Sequence, residues 1–395
     1  MSRTPQKRTL TTCCAAHVLH DGLSDVGYVL LPILAQAFNL SLAQVGLIRA
    51  AWRAATALFQ MPAGMLAERF GARNLLAFGT ACAGLAFIAL GQAAGFAAIL
   101  LALFCAGFGS AFQHPLSSAL ISHAYPGDGR RVALGTYNFF GDVGKFAFGG
   151  VVSLLFIAGV PWQVPVTFYG CLALACAVLV LFTLDSAAGR VRHTAAASEE
   201  KPVPAGWGIL HRQGFTALCL IEVVDTSVRT GFLTFIAFLM LDRDLPAGWA
   251  ALSVPLILIG GMAGKLACGF VAERIGVVRT IVIMEIANGC GILLMLVLPD
   301  LAAYLVLPLL GVVLNGTSTV LYGTIGDLVK PDRLPRVFGL FYTINSVFGL
   351  IVPLAFGVIG DAFGVTTSIA LIGVLPFAVL PLCLLLRPAL RTASA

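Results

Sequence analysis

Charge is what this sequence lacks most: Asp, Glu, Lys and Arg make up 11% of the 395 residues, against roughly 25% in a soluble globular domain. With 59% apolar residues and a mean hydropathy of +0.97, that scarcity excludes a water-soluble fold. Strand-like alternation over segments of about ten residues is also missing, and with it the pattern of a transmembrane barrel. There is no G-x-x-x-x-G-K-[ST] phosphate loop, no G-x-S-x-G nucleophile turn and no loop with Cys/His metal-ligand spacing. Nothing therefore points to an enzyme or to an ATP-driven pump. The ten cysteines fall inside apolar segments rather than external loops, which argues for packing residues and against a disulfide framework or metal site. The basic start MSRTPQKRTL leads into an apolar run longer than a signal-peptide core, with no A-x-A end, so it reads as a retained helix.

Twelve apolar stretches take up the rest: 11–36, 45–68, 73–93, 96–123, 131–158, 162–184, 213–241, 249–272, 278–298, 301–328, 335–360 and 365–387. About 20 apolar residues in a helix cross roughly 30 Å of hydrocarbon, so the expected fold is an all-α polytopic membrane protein with twelve transmembrane helices. Of the 24 Lys and Arg, 18 fall in the termini, in the loops after crossings two, four, six, eight and ten or at the crossing ends that border them, and only Arg243 in a loop on the other side. That asymmetry places both termini in the cytoplasm and the chain in a bacterial inner membrane. The net charge of +6 is then mostly a topology signal, with lipid and not nucleic acid as its surroundings.

One long polar connection, 185–212, rich in Ala, Ser and Pro with mixed charges, divides a six-helix unit at 1–184 from another at 213–395. The two units repeat each other. GMLAERFGARN starts at Gly64 and GFVAERIGVVR at Gly269, so Gly64, Glu68, Arg69 and Gly71 recur 205 residues later at Gly269, Glu273, Arg274 and Gly276. The same offset takes Arg131 to Arg336, Tyr137 to Tyr342 and Gly144 to Gly349. Six crossings is an even number, so the halves are parallel repeats about an axis along the membrane normal.

The loop GMLAERFGARNLL and its weaker copy resemble the G-x-L-a-D-r-x-G-r-k signature of the major facilitator superfamily, although Glu68 replaces the usual Asp and Ala72 a common Arg. The resemblance implies two six-helix bundles around a cavity lined by crossings one, four, seven and ten, with crossings three, six, nine and twelve outermost. A narrower resemblance is to the fosmidomycin-resistance group, with its His-x-x-x-Asp pattern in the first helix and Phe-His-Pro turn in the fourth. Here His17 and Asp21 in HVLHD supply the first, and His114 and Pro115 the second, with Gln113 inserted after Phe112. The drug-antiporter motif of the fifth helix is half present, with Lys145 where Pro would stand, and the fourth helix lacks the basic residue many drug antiporters carry.

An ionisable side chain at the bilayer centre costs about 2.5–3.5 kcal/mol on insertion scales, so such residues usually face a bundle interior. At 100° per residue, His17, His20, Asp21, Ser24 and Tyr28 share an arc of roughly 100°, with Asp25 just beyond its edge. Glu222, Asp225 and Arg229 share a narrower arc on the seventh crossing, and 205 residues earlier stand His17, His20 and Ser24. Proton coupling is assigned to His17, Asp21 and His114, with Glu222 and Asp225 in the second half, because an imidazole beside a buried carboxylate can share its proton. Arg49, Arg53, Lys145 and Arg229 suggest a cavity for phosphonate, phosphate or carboxylate groups. His20, Ser24, Asp25, Tyr28, Gln113, Tyr137, Asn138, Asp142 and Asn315 complete the candidate substrate site. Internal pairing of Asp25 with Arg53, or of Asp142 with Lys145, is an equal alternative. Lys265 is expected to snorkel, and Glu285 to have a structural partner on an outer helix.

By resemblance, Gly64, Glu68, Arg69, Gly71, Arg73, Arg130 and Arg131, with Gly269, Glu273, Arg274 and Gly276, form a conformational latch at the cytoplasmic face; a charge cluster that only sets topology is the plainer reading. Taken together, the residues predict a monomeric secondary transporter working by alternating access without a cofactor, driven by a proton gradient. Efflux of a small compound, an anion or a drug, is the first reading. The alternatives are a proton symporter importing an organic anion and a ligand sensor that moves nothing.

Overall fold

The computed structural model describes residues 3–125, 129–185, 207–330 and 334–393, and the side chains of Glu68 and Arg131 lie outside the described residues. Its helices are α1 (Arg3–Phe38), α2 (Leu42–Phe70), α3 (Ala72–Gly91), α4 (Phe96–Ser110), α5 (Gln113–Ala124), α6 (Gly129–Ile157) and α7 (Gln163–Thr183). The second half holds α8 (Arg212–Leu241), α9 (Ala247–Ile275), α10 (Val277–Leu294), α11 (Asp300–Leu328), α12 (Leu334–Phe363), α13 (Val365–Val374) and α14 (Val379–Ala393).

Eleven of the expected crossings are helical spans long and apolar enough to cross a membrane. The twelfth, α2, has the length at 29 residues, but Arg49 and Arg53 lower its hydropathy. Two crossings are broken where proline removes a backbone donor. Pro115 has no N–H for the carbonyl of Ala111, four residues earlier, and the fourth crossing divides there into α4 and α5. Pro376 sits in the 3₁₀ turn Leu375–Ala378 that joins α13 to α14.

The repeat is written in the backbone. Asn39 and Asp244 (φ 50° and 61°), Gly71 and Gly276 (84° and 92°) and Gly159 and Gly364 (83° and 87°) are three left-handed pairs, each 205 residues apart. Such dihedrals end a helix abruptly and are open chiefly to Gly and Asn or Asp, so Gly71 and Gly276 turn the chain within a single residue. Of the connection expected at 185–212, residues 186–206 lie outside the described residues. Its last part docks on the end of α11, where Leu210 N–H donates to the carbonyl of Leu328 at 2.9 Å.

Within the first half α1 packs on α6, α3 on α7 and α2 on α4; within the second, α9 on α11, and α8 on α12 and α14. The halves meet along α2 with α12 and α6 with α9. Along the first seam a Cβ on Gly46 would overlap the carbonyl of Pro353, and one on Gly357 that of Leu42. At the same end Asp361 accepts from the backbone N–H groups of Leu42 (2.7 Å) and Ala43 (2.9 Å). That end of the molecule is sealed. At the opposite end, which carries Gly71 and Gly276, Met61 and Met65 on α2 and Tyr342 on α12 are exposed, and the seam parts around a cavity.

Candidate substrate and proton site

The site is built around Asp21, buried on α1. His17, one turn earlier, brings Nε2 to 3.2 Å from its carboxylate; His114, at the start of α5, brings Nε2 to 3.4 Å; and Lys145 of α6 brings Nζ to 3.1 Å. The Nδ1 of His17 lies 2.7 Å from the carbonyl oxygen of Tyr137. A carbonyl can only accept, so Nδ1 carries a proton and Nε2 is the atom left to face Asp21. One further proton shared between Nε2 and the carboxylate suits that contact, whichever partner holds it. The ring of His17 is stacked on Tyr137 at 3.9 Å between centroids, and the Tyr137 hydroxyl accepts from Gln113 Nε2 at 2.8 Å. The Tyr137 carbonyl, the Tyr137 ring and the Asp21 carboxylate therefore fix the orientation of one imidazole, with Gln113 holding the tyrosine.

Charge continues from Asp21 into the second half. Lys145 also pairs with Asp142 at 3.1 Å, and Lys265 of α9 reaches the same Asp142 oxygen at 2.7 Å. Lys265 does not snorkel; it is the cation that ties α9 to α6. Asp25 likewise pairs with Arg49, at 3.8 Å, and not with Arg53. Arg49 is buried, donates to the carbonyl of Ser24 at 3.0 Å and lies 3.7 Å over the Tyr28 ring. It lines neither cavity, so its part in the expected anion site gives way to holding α2 against α1.

Two compartments meet at Arg53. An open cavity of about 570 Å³ is lined by His20, Asp21, Ser24, Gln113, His114, Tyr137 and Asn138 from the expected site, and also by Trp52, Gln60, Tyr342, Asn345 and Ser346. A smaller chamber of about 100 Å³ toward the sealed end is lined by Asp25, Tyr28, Asp142, Lys145, Arg229, Lys265 and Asn315. Arg53 belongs to both walls. It has no ion-pair partner among the described residues, and its Nε is buried without a hydrogen bond. His20 lines the cavity, but its Nε2 is engaged with the Thr80 hydroxyl at 2.9 Å.

The carboxylates of the second half stand apart from this cluster. Glu222 accepts from Thr226 at 3.1 Å and from Asn345 at 3.4 Å, and Asp225 sits 3.8 Å from Arg229. Both are fully buried and line neither cavity. Glu285 is also fully buried, and its carboxylate oxygens have no hydrogen bond of ordinary geometry. Arg69, Arg130, Glu273 and Arg274 are exposed at the open end, with no ion pair among the described residues. Arg73 donates to Asn74 at 3.1 Å. Gly64 and Gly269 have open space around them, and two further members of the expected latch, Glu68 and Arg131, have side chains outside the described residues.

Sequence reasoning missed Asp361, Gln60, Asn345 and Ser346. Asp361 had a signal: an acid in the last turn of an apolar helix opposes that helix's own dipole and needs donors elsewhere. The neutral side chains had none, because single polar residues are common in any long helix.

The family model described as Major Facilitator Superfamily matches residues 14–353 and 256–394. The chain is 27% identical over 374 residues to the uncharacterized MFS-type transporter YfnC of Bacillus subtilis, covering 91% of this chain and 88% of the relative. It is 21% identical over 402 residues to a probable 4-methylmuconolactone transporter of Cupriavidus pinatubonensis (98% and 91% covered). To the fosmidomycin resistance protein of Escherichia coli it is 25% identical over 366 residues (88% and 84%). A bacterial homologue of the human lysosomal transporter Spinster, in an inward-facing and occupied conformation, superposes with a TM-score of 0.78 at 17% identity, over 100% of this chain and 97% of that one. With twelve crossings in two parallel repeats around a polar cavity, the chain belongs to the Major Facilitator Superfamily and is a multi-pass membrane transporter of small molecules.

Proposed function

We propose that the protein is a proton-coupled carrier of a small organic anion, with His17 and Asp21 as the proton site and Arg53 as the anion contact. The observation that carries this reading is the sharing of one carboxylate, Asp21, by His17, His114 and Lys145. Protonating Asp21 removes the negative charge that holds Lys145 and raises the positive charge of both compartments. Arg53, unpaired and common to the two walls, is then the fork-shaped group best suited to a carboxylate or phosphonate. The small-molecule cargo of relatives such as the 4-methylmuconolactone transporter is in keeping with a cavity of this size.

Electrostatics bears on direction. A proton that makes the cavity more positive favours anion binding, so the two ligands help each other bind, and reciprocal coupling of that kind is the thermodynamic basis of symport. Antiport, the first reading from the sequence, fits a cationic or neutral drug better, since proton and cargo would then compete. With the termini in the cytoplasm of a bacterial inner membrane, the open end faces inward.

Proteoliposomes test both parts. His17→Asn keeps a donor for the Tyr137 carbonyl but cannot carry the proton, and Asp21→Asn removes the charge. Each is expected to abolish proton-driven accumulation while leaving folded protein, and wild-type coupling in both variants would refute the assignment. Proton movement in the same direction as an organic anion supports symport, and opposite movement supports antiport.

A further inference from the structure

On the surface of the second half, α10 and α14 leave a groove of about 340 Å³. Its walls are apolar, with Val282 and Ile283 on one side and Leu380 and Leu384 on the other, and Arg279 and Arg387 stand at one end. Ile283 and Leu384 are exposed, as side chains facing acyl chains would be. Arg279 is in the first turn of α10 and Arg387 in the second half of α14, so both lie toward the side of the two chain termini. Both are exposed, and neither has an ion pair or a hydrogen bond among the described residues. The first turn of α10 adds to this positive end: its cap, Gly276, offers no side-chain acceptor to the free N–H groups.

We propose that this groove binds an anionic phospholipid of the leaflet nearest the termini, one acyl chain along the apolar walls and the phosphate between Arg279 and Arg387. The occupant follows from the combination. Two unpaired guanidiniums at headgroup level call for a phosphate, and the apolar channel running away from them into the membrane calls for a chain attached to it. The repeat supports a specific site over a general topology signal. In the first half, 205 residues earlier, the corresponding residues are Asn74 and Phe182, so the arginine pair is not repeated there.

The test is lipid retention by the purified full-length protein, read by native mass spectrometry and by unfolding temperature, with phosphatidylglycerol or phosphatidylcholine added after delipidation. Wild type is expected to retain phosphatidylglycerol preferentially and to be stabilised by it. Arg279→Gln and Arg387→Gln should each lower that retention about fivefold, the equivalent of about 1 kcal/mol per basic residue near an anionic surface, and the double variant should bind the two lipids alike. Leu384→Trp, which fills the groove and keeps both arginines, should also lower retention. The proposal is overturned by equal retention of both lipids in wild type, by a preference that survives the double variant, or by unchanged retention in Leu384→Trp. Stabilisation by soluble glycerol phosphate equal to that by the lipid would likewise overturn it, leaving a simple anion site.

Discussion

Asp361, at the end of α12, caps the start of α2 by accepting from the backbone N–H of Leu42 at 2.7 Å. The bond joins residues 319 positions apart and belongs to opposite halves of the molecule. A helix N-terminus has unpaired N–H groups and a partial positive charge, so a carboxylate there is both a cap and a charge partner. At the repeat-related place, Phe156 and Ile157 pack on the start of α9 near Gly248; one seam is sealed by charge and the other by apolar contact.

Asp361→Ala should therefore loosen the sealed end without unfolding the protein. Ser41 keeps its own capping box with Gln44, so the change removes only the exposed carboxylate and its two bonds at the helix start, about 1 kcal/mol, which displaces the equilibrium between the two access states by about fivefold. Spin labels placed across the sealed end should report a larger population of long distances, and an unchanged distribution would show that the cap carries no part of the seal.

Gly46→Val should act on the same equilibrium by steric means. A Cβ on Gly46 meets the backbone of Pro353 in this conformation, and backbone cannot move aside as a side chain can. The variant should disfavour the state sealed at that end, so that cysteines placed in the open cavity become less reactive to water-soluble reagents. Wild-type reactivity would mean that the seam can widen without opening.

Asp142 and Lys265 should couple in a double-mutant cycle. Asp142→Asn leaves two lysines facing each other, and Lys265→Met leaves Asp142 to Lys145 alone. With Lys265 about one third exposed, each single change should cost about 1–2 kcal/mol, and the double variant should cost less than their sum. Strict additivity in thermal unfolding would show that the 2.7 Å contact contributes nothing measurable.

Arg49 and Arg53, one turn apart on α2, should respond differently to lysine. Arg49→Lys loses a planar contact on Tyr28 and the Nη1 hydrogen bond to the Ser24 carbonyl, and should lower stability by about 1 kcal/mol or more. Arg53→Lys should leave stability near wild type and weaken anion binding or transport by about tenfold. The reverse pattern would exchange their roles.

Much of this protein was determined by its sequence alone. Scarcity of charge and the length of the apolar runs leave helices as the only way to satisfy the backbone in lipid, so the all-α fold follows without a structure. The offset between Gly71 and Gly276 reveals the two halves, and the spacing of His17 and Asp21, four residues apart on one helical face, puts an imidazole beside a carboxylate. Partnership was decided only in three dimensions. Helical periodicity says which face a residue occupies but not what lies opposite, because the rotation and depth of each helix are set by the packing of its neighbours. Asp25 thus meets Arg49 and not Arg53, Lys265 reaches Asp142 on another helix, and Asp361 finds the first turn of α2. Arg53 meets no carboxylate in an ion pair among the described residues, and it stands where the two compartments join.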